Sequence, residues 1–212
     1  MTERLTQAQR RAESTERLHR AFAELVCEQG YVLTTAAEIG ERAGYSRNMV
    51  RDRFGSKEAL FFDFTIATFL RPQRRSAAEG GTGLDRVLRM VDDVRTQAER
   101  DPVSLRASYV IMFESVVEGH PLSKPVLGGL ATHTDRRARH LADGIADGSI
   151  RPDLDPRTEA ELMLAEGMGI AYDDVVGLSG RPLPALLIFW RAEVEVRLAP
   201  RATRAGAPGP DG

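Results

Sequence analysis

Residues 29–60 read QGYVLTTAAEIGERAGYSRNMVRDRFGSKEAL, and the order of apolar and turn-forming residues in this stretch decides the fold. Two short amphipathic segments flank Gly44-Tyr45. In the first, Ala36, Ile39 and Ala43 recur at helical spacing; Thr34 and Thr35 are N-cap candidates, and Glu38 follows Thr35 at capping-box distance. In the second, which Ser46 can cap and which runs to about Arg53, Met49, Val50 and Phe54 turn towards a preceding helix. Two short helices joined by a tight, glycine-containing turn form a helix-turn-helix. The remaining side chains, Ser46, Arg47, Asn48, Arg51 and Arg53, point outward. A hydroxyl on an exposed helix N-terminus suits a phosphate, and arginine and asparagine can reach base edges.

Working outward, the periodicity predicts a helix from Ala12 to Gln29, with Leu18, Phe22, Leu25 and Val26 inward and Gly30 at its end. Gly55-Ser56 interrupts the chain again, and Ser56 caps a helix through Leu60, Phe61, Phe64, Ala67 and Leu70. Residues 76–83 (SAAEGGTG) read as a flexible connector. An amphipathic helix follows from Leu84 to about Asp101, another from Val103 to Glu118, and a long one from Ser123 to Ala146 with a kink expected at Gly128-Gly129. Asp155-Pro156 reads as N-cap and first helical residue of a helix to Leu178, and the last helix spans Pro182–Leu198. The fold expected is all-α, with about nine helices and no sheet.

Composition narrows the class. A chain of 212 residues with 42% hydrophobic and 28% charged residues can bury a sizeable core. No apolar run reaches the roughly 18 residues of a membrane span, and the polar start MTERLTQAQRR lacks the apolar stretch of a signal peptide. A single cysteine, Cys27, excludes an intrachain disulfide and a multi-cysteine zinc site. A cytoplasmic location, no membrane and no cofactor or metal are the expectations. The net charge of −2 does not advertise a polyanion partner, but residues 1–57 carry ten Lys/Arg against eight Asp/Glu, leaving −4 for the rest.

The segment resembles the TetR family of transcriptional regulators, whose members read approximately GY-x-x-TT-x-x-x-IA-x-x-AGVS-x-x-x-LY-x-HF-x-SK-E-x-L. The matches are Gly30-Tyr31, Thr34-Thr35, Ile39, Ala43-Gly44, Ser46, Phe54, Ser56-Lys57-Glu58 and Leu60. The departures are Tyr45, Asn48, Arg51 and Arg53, where the family usually has a small aliphatic, Gly or Ala, an aromatic and His. The resemblance implies a helix-turn-helix DNA-binding domain over residues 1–57, a ligand-binding and dimerisation domain over 58–200, and a disordered tail over 201–212. It implies a palindromic double-stranded DNA operator as partner, bound through Thr34, Thr35, Ser46, Arg47, Asn48, Arg51, Arg53 and Lys57. Arg4, Arg10, Arg11 and Arg17 could add an arm along the backbone.

It further implies a homodimer built from the last two helices through Leu162, Ala165, Gly169, Tyr172, Leu186, Leu187, Trp190 and Val194. A small apolar effector is expected among Phe64, Met90, Tyr109, Met112, Phe113 and Met168, with repression as the family's usual mode. The alternative is a helical ligand-binding or interaction protein without DNA binding, for which Asp52 beside the phosphate-facing arginines is the one discordant residue. An enzyme finds little support. Glu16-Arg17-Leu18-His19 is a lone Glu-x-x-His without the second copy a di-iron bundle requires. Gly80-Gly81-Thr82-Gly83 follows no strand and so is no dinucleotide loop. His133 and His140 share a face, but Arg136, Arg137 and Arg139 would repel a metal cation.

Overall fold

The computed structural model describes residues 6–70 and 80–200. Among them the chain forms helices and no strand: α1 (Gln7–Leu33), α2 (Ala36–Arg42), α3 (Met49–Phe54), α4 (Lys57–Thr65, continued by a π-helical turn at Ile66–Leu70), α5 (Gly83–Arg100), α6 (Pro102–Glu114), α7 (Ser123–Asp147), α8 (Pro156–Val176) and α9 (Leu183–Leu198). The expected Arg4 contact, residues 76–79 of the connector and the tail from 201 lie outside the described residues.

Several ends differ from the sequence expectation, each for a local reason. α1 begins at Gln7 rather than Ala12, because Thr6 and Gln9 form a capping box that no apolar stripe announces. Gly30, at φ 80° and ψ 167°, breaks the regular helix where expected, although a further turn follows it. α3 starts at Met49 rather than Ser46. The Ser46 carbonyl accepts the Met49 N–H at 3.0 Å, and Asn48, the N-cap residue, makes no side-chain cap bond. α6 stops at Glu114, four residues early. α7 runs unbroken through Gly128-Gly129, neither of which has positive φ, so the expected kink is absent. Asp155 caps α8 as its spacing predicts, accepting the Thr158 N–H at 2.7 Å.

Two apolar clusters hold the molecule. The first gathers Leu18, Phe22 and Val26 of α1, Ile39 of α2, Val50 of α3 and Leu60, Phe61 and Phe64 of α4, with Ala107 and Ile111 of α6 on its far side. It therefore continues past Lys57, the expected domain edge. The second joins Val87 and Val91 of α5, Leu105 and Tyr109 of α6, Leu141 of α7, Met163 of α8 and Leu187 and Val194 of α9. Each fully buried Leu, Val or Phe contributes about 1.5–3 kcal/mol of transfer free energy. Helix α6 belongs to both clusters and packs along α1, so it is the shared wall between the two halves. At the other end of the body, a Cβ placed on Gly83 would lie 2.1 Å from the Gly144 nitrogen; only glycine lets α5 and α7 meet backbone to backbone.

Candidate nucleic-acid interface

The turn between α2 and α3 is built by two glycines. Gly44 takes φ 80°, which L side chains rarely adopt. Gly40 sits where a Cβ would be 2.4 Å from the Ser46 carbonyl oxygen, so the Ser46–Asn48 turn rests directly on the α2 backbone. The Tyr45 N–H donates to Gly40 O at 2.9 Å and locks that register. Val50, fully buried, anchors α3 from below. The result is a rigid platform on which Ser46, Arg47, Asn48 and Arg51 are all exposed. Arg47 Nε lies 3.4 Å from Glu41 with both side chains largely in solvent, an ion pair of the kind worth about 0–1 kcal/mol and easily exchanged for a phosphate or a base edge. Asp52 shares this exposed side.

Thr35 is also exposed, and its capping box is complete: its hydroxyl accepts the Glu38 N–H at 3.2 Å, while Glu38 accepts the Thr35 N–H at 2.8 Å. The Thr35 hydroxyl and backbone hold the Glu38 carboxyl below its usual pKa range. An arriving phosphate would compete with this carboxylate for the same donors.

Three residues expected at DNA are engaged inside the protein. Thr34 is fully buried and donates its hydroxyl to Gly30 O at 2.7 Å. Arg53 points back to α1, donating to Ser14 Oγ at 2.5 Å and to the Arg11 carbonyl, because the α3 face carrying it turns inward one residue after Asp52. Lys57 Nζ donates to Tyr31 O at 2.8 Å and Thr34 O at 2.7 Å and stands 4.0 Å over the Tyr31 ring. Its half-buried ammonium is pushed below its usual pKa by desolvation, with Glu58, Glu114 and Glu38 opposing.

The same loop receives a residue that sequence reasoning missed. Glu114, at the end of α6, accepts the N–H of Tyr31 at 2.7 Å and of Val32 at 3.4 Å, the donors that the Gly30 break leaves without helical partners. Its distance of more than eighty residues along the chain left no local signal. Of the arm residues described, Arg10, Arg11 and Arg17 are exposed on α1, and Arg17 pairs with Glu13 at 2.6 Å.

Residues 20–64 match the family model for the bacterial regulatory proteins of the tetR family, a span covering the second half of α1, α2, α3 and nearly all of α4. Over that span the chain is similar to the TetR family. It is 27% identical over 137 residues to the uncharacterized HTH-type transcriptional regulator YezE of Bacillus subtilis (strain 168), a match spanning 63% of this chain and 66% of that relative, just under two thirds of its length. In fold it is similar to SmeT in its complex with triclosan, at a TM-score of 0.72, 21% identity, and 92% and 95% coverage of the two chains. It is similar also to the FadR regulator of Bacillus subtilis in complex with stearoyl-CoA, at a TM-score of 0.69, 18% identity, and 86% and 98% coverage. The family model is one of regulatory proteins, and FadR is itself a transcriptional regulator.

The body of the chain distributes the remaining candidates unevenly. Tyr109, Met112 and Phe113 lie in or against the second cluster, with the Phe113 ring 5.7 Å from that of Tyr172. Met90 and Met168 are half-buried. Phe64 is elsewhere: it packs edge-on to Phe22 and His19 in the first cluster. On α8 and α9, Leu162, Ala165, Gly169 and Tyr172 are exposed and Leu186 and Trp190 are half-buried, whereas Leu187 and Val194 are buried. Those two fall on the inner stripe Leu183, Leu187, Val194, Leu198 that packs α9 on α5, so they do not line an outer face. The outer face instead carries Ile188, Phe189 (66% exposed) and Val196 (77% exposed), which the sequence reading left out. Between the two helices an open groove of about 500 Å³ is lined by Gly169, Ile170, Leu186, Phe189 and Trp190. Its polar rim is set by Glu166, which accepts from Trp190 Nε1 at 2.8 Å and from Arg197 at 2.6 and 2.8 Å. The Arg197 hydrogen bond holds the Glu166 carboxyl below its usual pKa. Among the described residues no helix is long and apolar enough to cross a membrane.

Proposed function

We propose that this chain is a homodimeric DNA-binding repressor that docks the Ser46–Arg51 turn of each protomer into successive major grooves of a palindromic operator and is released by a small apolar effector. The observation that carries this reading is the exposure of Ser46, Arg47, Asn48 and Arg51 together on a platform whose apolar residues are all turned inward. Arg47 and Asn48 read base edges; Arg51, Ser46 and Thr35 hold phosphate. Thr34, Arg53 and Lys57 leave the contact set and position the surface instead. Residues 1–57 carry DNA binding and 58–200 sensing and pairing, with α4 shared between them.

One such turn reads too few base pairs to select an operator, and a two-fold pair supplies two half-sites about one helical turn apart. The exposed apolar side of α8 and α9, with Leu162, Tyr172, Ile188 and Phe189, supports the pairing as a four-helix bundle. SmeT bound to triclosan and FadR bound to stearoyl-CoA support a body of this fold that admits molecules with apolar parts.

The test is binding of the full chain to duplex DNA from its own upstream region, followed by gel shift across a salt series. Specific, steeply salt-dependent binding is expected, weakened by about 1–3 kcal/mol in Arg47→Ala. Indifference of the chain to that duplex, or unchanged binding by Arg47→Ala and Arg51→Ala together, would remove the docking surface. Sedimentation as a monomer at micromolar concentration would remove the pairing.

A further inference from the structure

The four residues His133, Arg136, Arg137 and His140 stand at positions i, i+3, i+4 and i+7 of α7, one continuous face of the helix. All four are half-buried. Arg137 falls on the inward stripe between Thr134 and Leu141, both buried, and is itself mostly withdrawn from water between α7 and α8. Its guanidinium donates to the Ala160 carbonyl at 3.1 Å, its Nε is buried without a partner, and among the described residues no carboxylate pairs with it. Arg136 has Asp93 of α5 as its opposite charge and lies 3.0 Å from His133 Nδ1. On the facing helix α5, Arg86 reaches Asp143 at 2.9 Å but keeps its Nε buried and unpartnered, as does His140 with its Nδ1. The backbone contact of Gly83 with Gly144 holds these two helices at this separation. Met90, one turn beyond Arg86 on α5, is half-buried and shares Arg86's face by helical spacing.

Proteins rarely bury a charge without an opposite charge, because desolvation then goes uncompensated. Here the surplus is positive and includes donors directed at nothing. We propose that this face, with Arg137 at its centre, binds the oxyanion head group, a carboxylate or a phosphate, of an amphipathic effector whose apolar remainder lies against neighbouring side chains such as Met90. The inference rests on the sensor reading above and replaces a purely apolar effector with an anionic amphiphile. Burial and the flanking arginines push His133 down to about 4 and His140 below its ordinary value. Both rings are therefore neutral at neutral pH, and a bound anion raises their proton affinity against Arg86, Arg136, Arg137 and Arg139, with Asp93 and Asp143 acting in the same direction as the ligand.

The experiment is calorimetric titration of the full chain with decanoate, decyl phosphate and 1-decanol below their aggregation limits. At least one anion is expected to bind tenfold or more tightly than the alcohol, with proton uptake at pH 6 visible in buffers of different ionisation enthalpy. Preference for decanoate identifies a carboxylate and preference for decyl phosphate a phosphate. Arg137→Met should abolish the preference, Arg137→Lys should keep part of it, and Arg139→Met, exposed on the same helix, should leave it intact. Should Arg137→Met fail to fold, Arg136→Met carries the same expected loss. Equal binding of alcohol and anions, binding of none of the three, or a preference that survives the arginine substitutions overturns the proposal. Duplex binding is measured on the same preparations, so that its absence speaks against the regulator and lost head-group preference against this site alone.

Discussion

The half of the molecule formed by α1–α4 and the half formed by α5–α9 dispose of their side chains in opposite ways. In the first half Phe22, Ile39, Val50 and Phe64 close into a core, with Val32, Leu33 and Phe62 left exposed beside it, and Arg47 and Arg51 stand in solvent at the α2–α3 turn and the start of α3. In the second half, Phe189 and Val196 stand in water while Arg137 lies inside. On the reading proposed above, the exposed arginines of the first half meet a polyanion, whereas the half-buried Arg137 of the second waits for a small anion. Exposure, rather than residue type, separates the two kinds of arginine.

The sharpest way to break this contrast is within α9. Leu187 is 2% exposed and Phe189 is 66% exposed, two residues apart on the same helix. Leu187→Ala should destabilise the chain by about 2–5 kcal/mol in urea unfolding, through the cavity it leaves. Phe189→Ala should change the stability of the protomer little but weaken self-association at least tenfold in sedimentation equilibrium. The reverse assignment of effects would mean that the helix is rotated from the orientation described.

A second substitution addresses the joint between the halves. Gly30→Ala places a side chain at φ 80° and ψ 167°, a region close to glycine-only, at a strain of about 1–3 kcal/mol. Its Cβ would also lie 2.7 Å from Glu114 Oε1, pushing away the carboxylate that holds the Tyr31 and Val32 amides. Faster amide exchange at those two positions is expected alongside the lower stability. Retained protection would show that Glu114 is not what binds α6 to the loop.

Acid sharpens the comparison from the other side. His133 is neutral in the folded state down to about pH 4, whereas in the unfolded chain it protonates near its ordinary value of 6.5. The unfolded state therefore binds the extra proton between those two values, and stability falls as pH drops through that window, by at most about 1.4 kcal/mol per pH unit for the group. The depressed carboxyls, Glu166 among them, lose their contribution only at lower pH. His133→Gln should flatten the decline between pH 6.5 and 5 in thermal unfolding; an unchanged slope would place the titration elsewhere.

The turn itself was legible in the sequence because its signals are local: the Thr35–Glu38 capping box, the Gly44 break and the period of Ile39, Val50 and Phe54 all fall within twenty residues. The same locality explains the misplacements. Arg53 was read as outward from its place beside Arg51, but a six-residue helix turns its last side chains back onto α1. Lys57 and Thr34 carry the residue types of a phosphate site, yet their partners are backbone carbonyls that only the folded loop presents. Leu187 and Val194 matched the apolar period of an interface because an inner and an outer stripe have the same period; which one is covered depends on α5, remote in sequence. Glu114 and the partnerless Arg137 are tertiary facts, invisible to any window.

The smallest effect on stability is also the most discriminating. Arg47→Ala removes only a 3.4 Å ion pair with Glu41, both partners in water, so unfolding should shift by less than about 0.5 kcal/mol. Its effect on duplex binding, in contrast, is expected to be several times larger, because a guanidinium lost from a base edge leaves that edge unread and desolvated. Arg53→Ala should show the opposite ratio, since its guanidinium ties α3 to Ser14 and the Arg11 carbonyl and its loss loosens the platform before any DNA arrives. Plotting the loss of duplex affinity against the loss of stability should therefore put the two arginines on different lines. If both fell on one line, the affinity lost with Arg47 would be a by-product of unfolding, and the exposed turn would have no claim to be the reading surface.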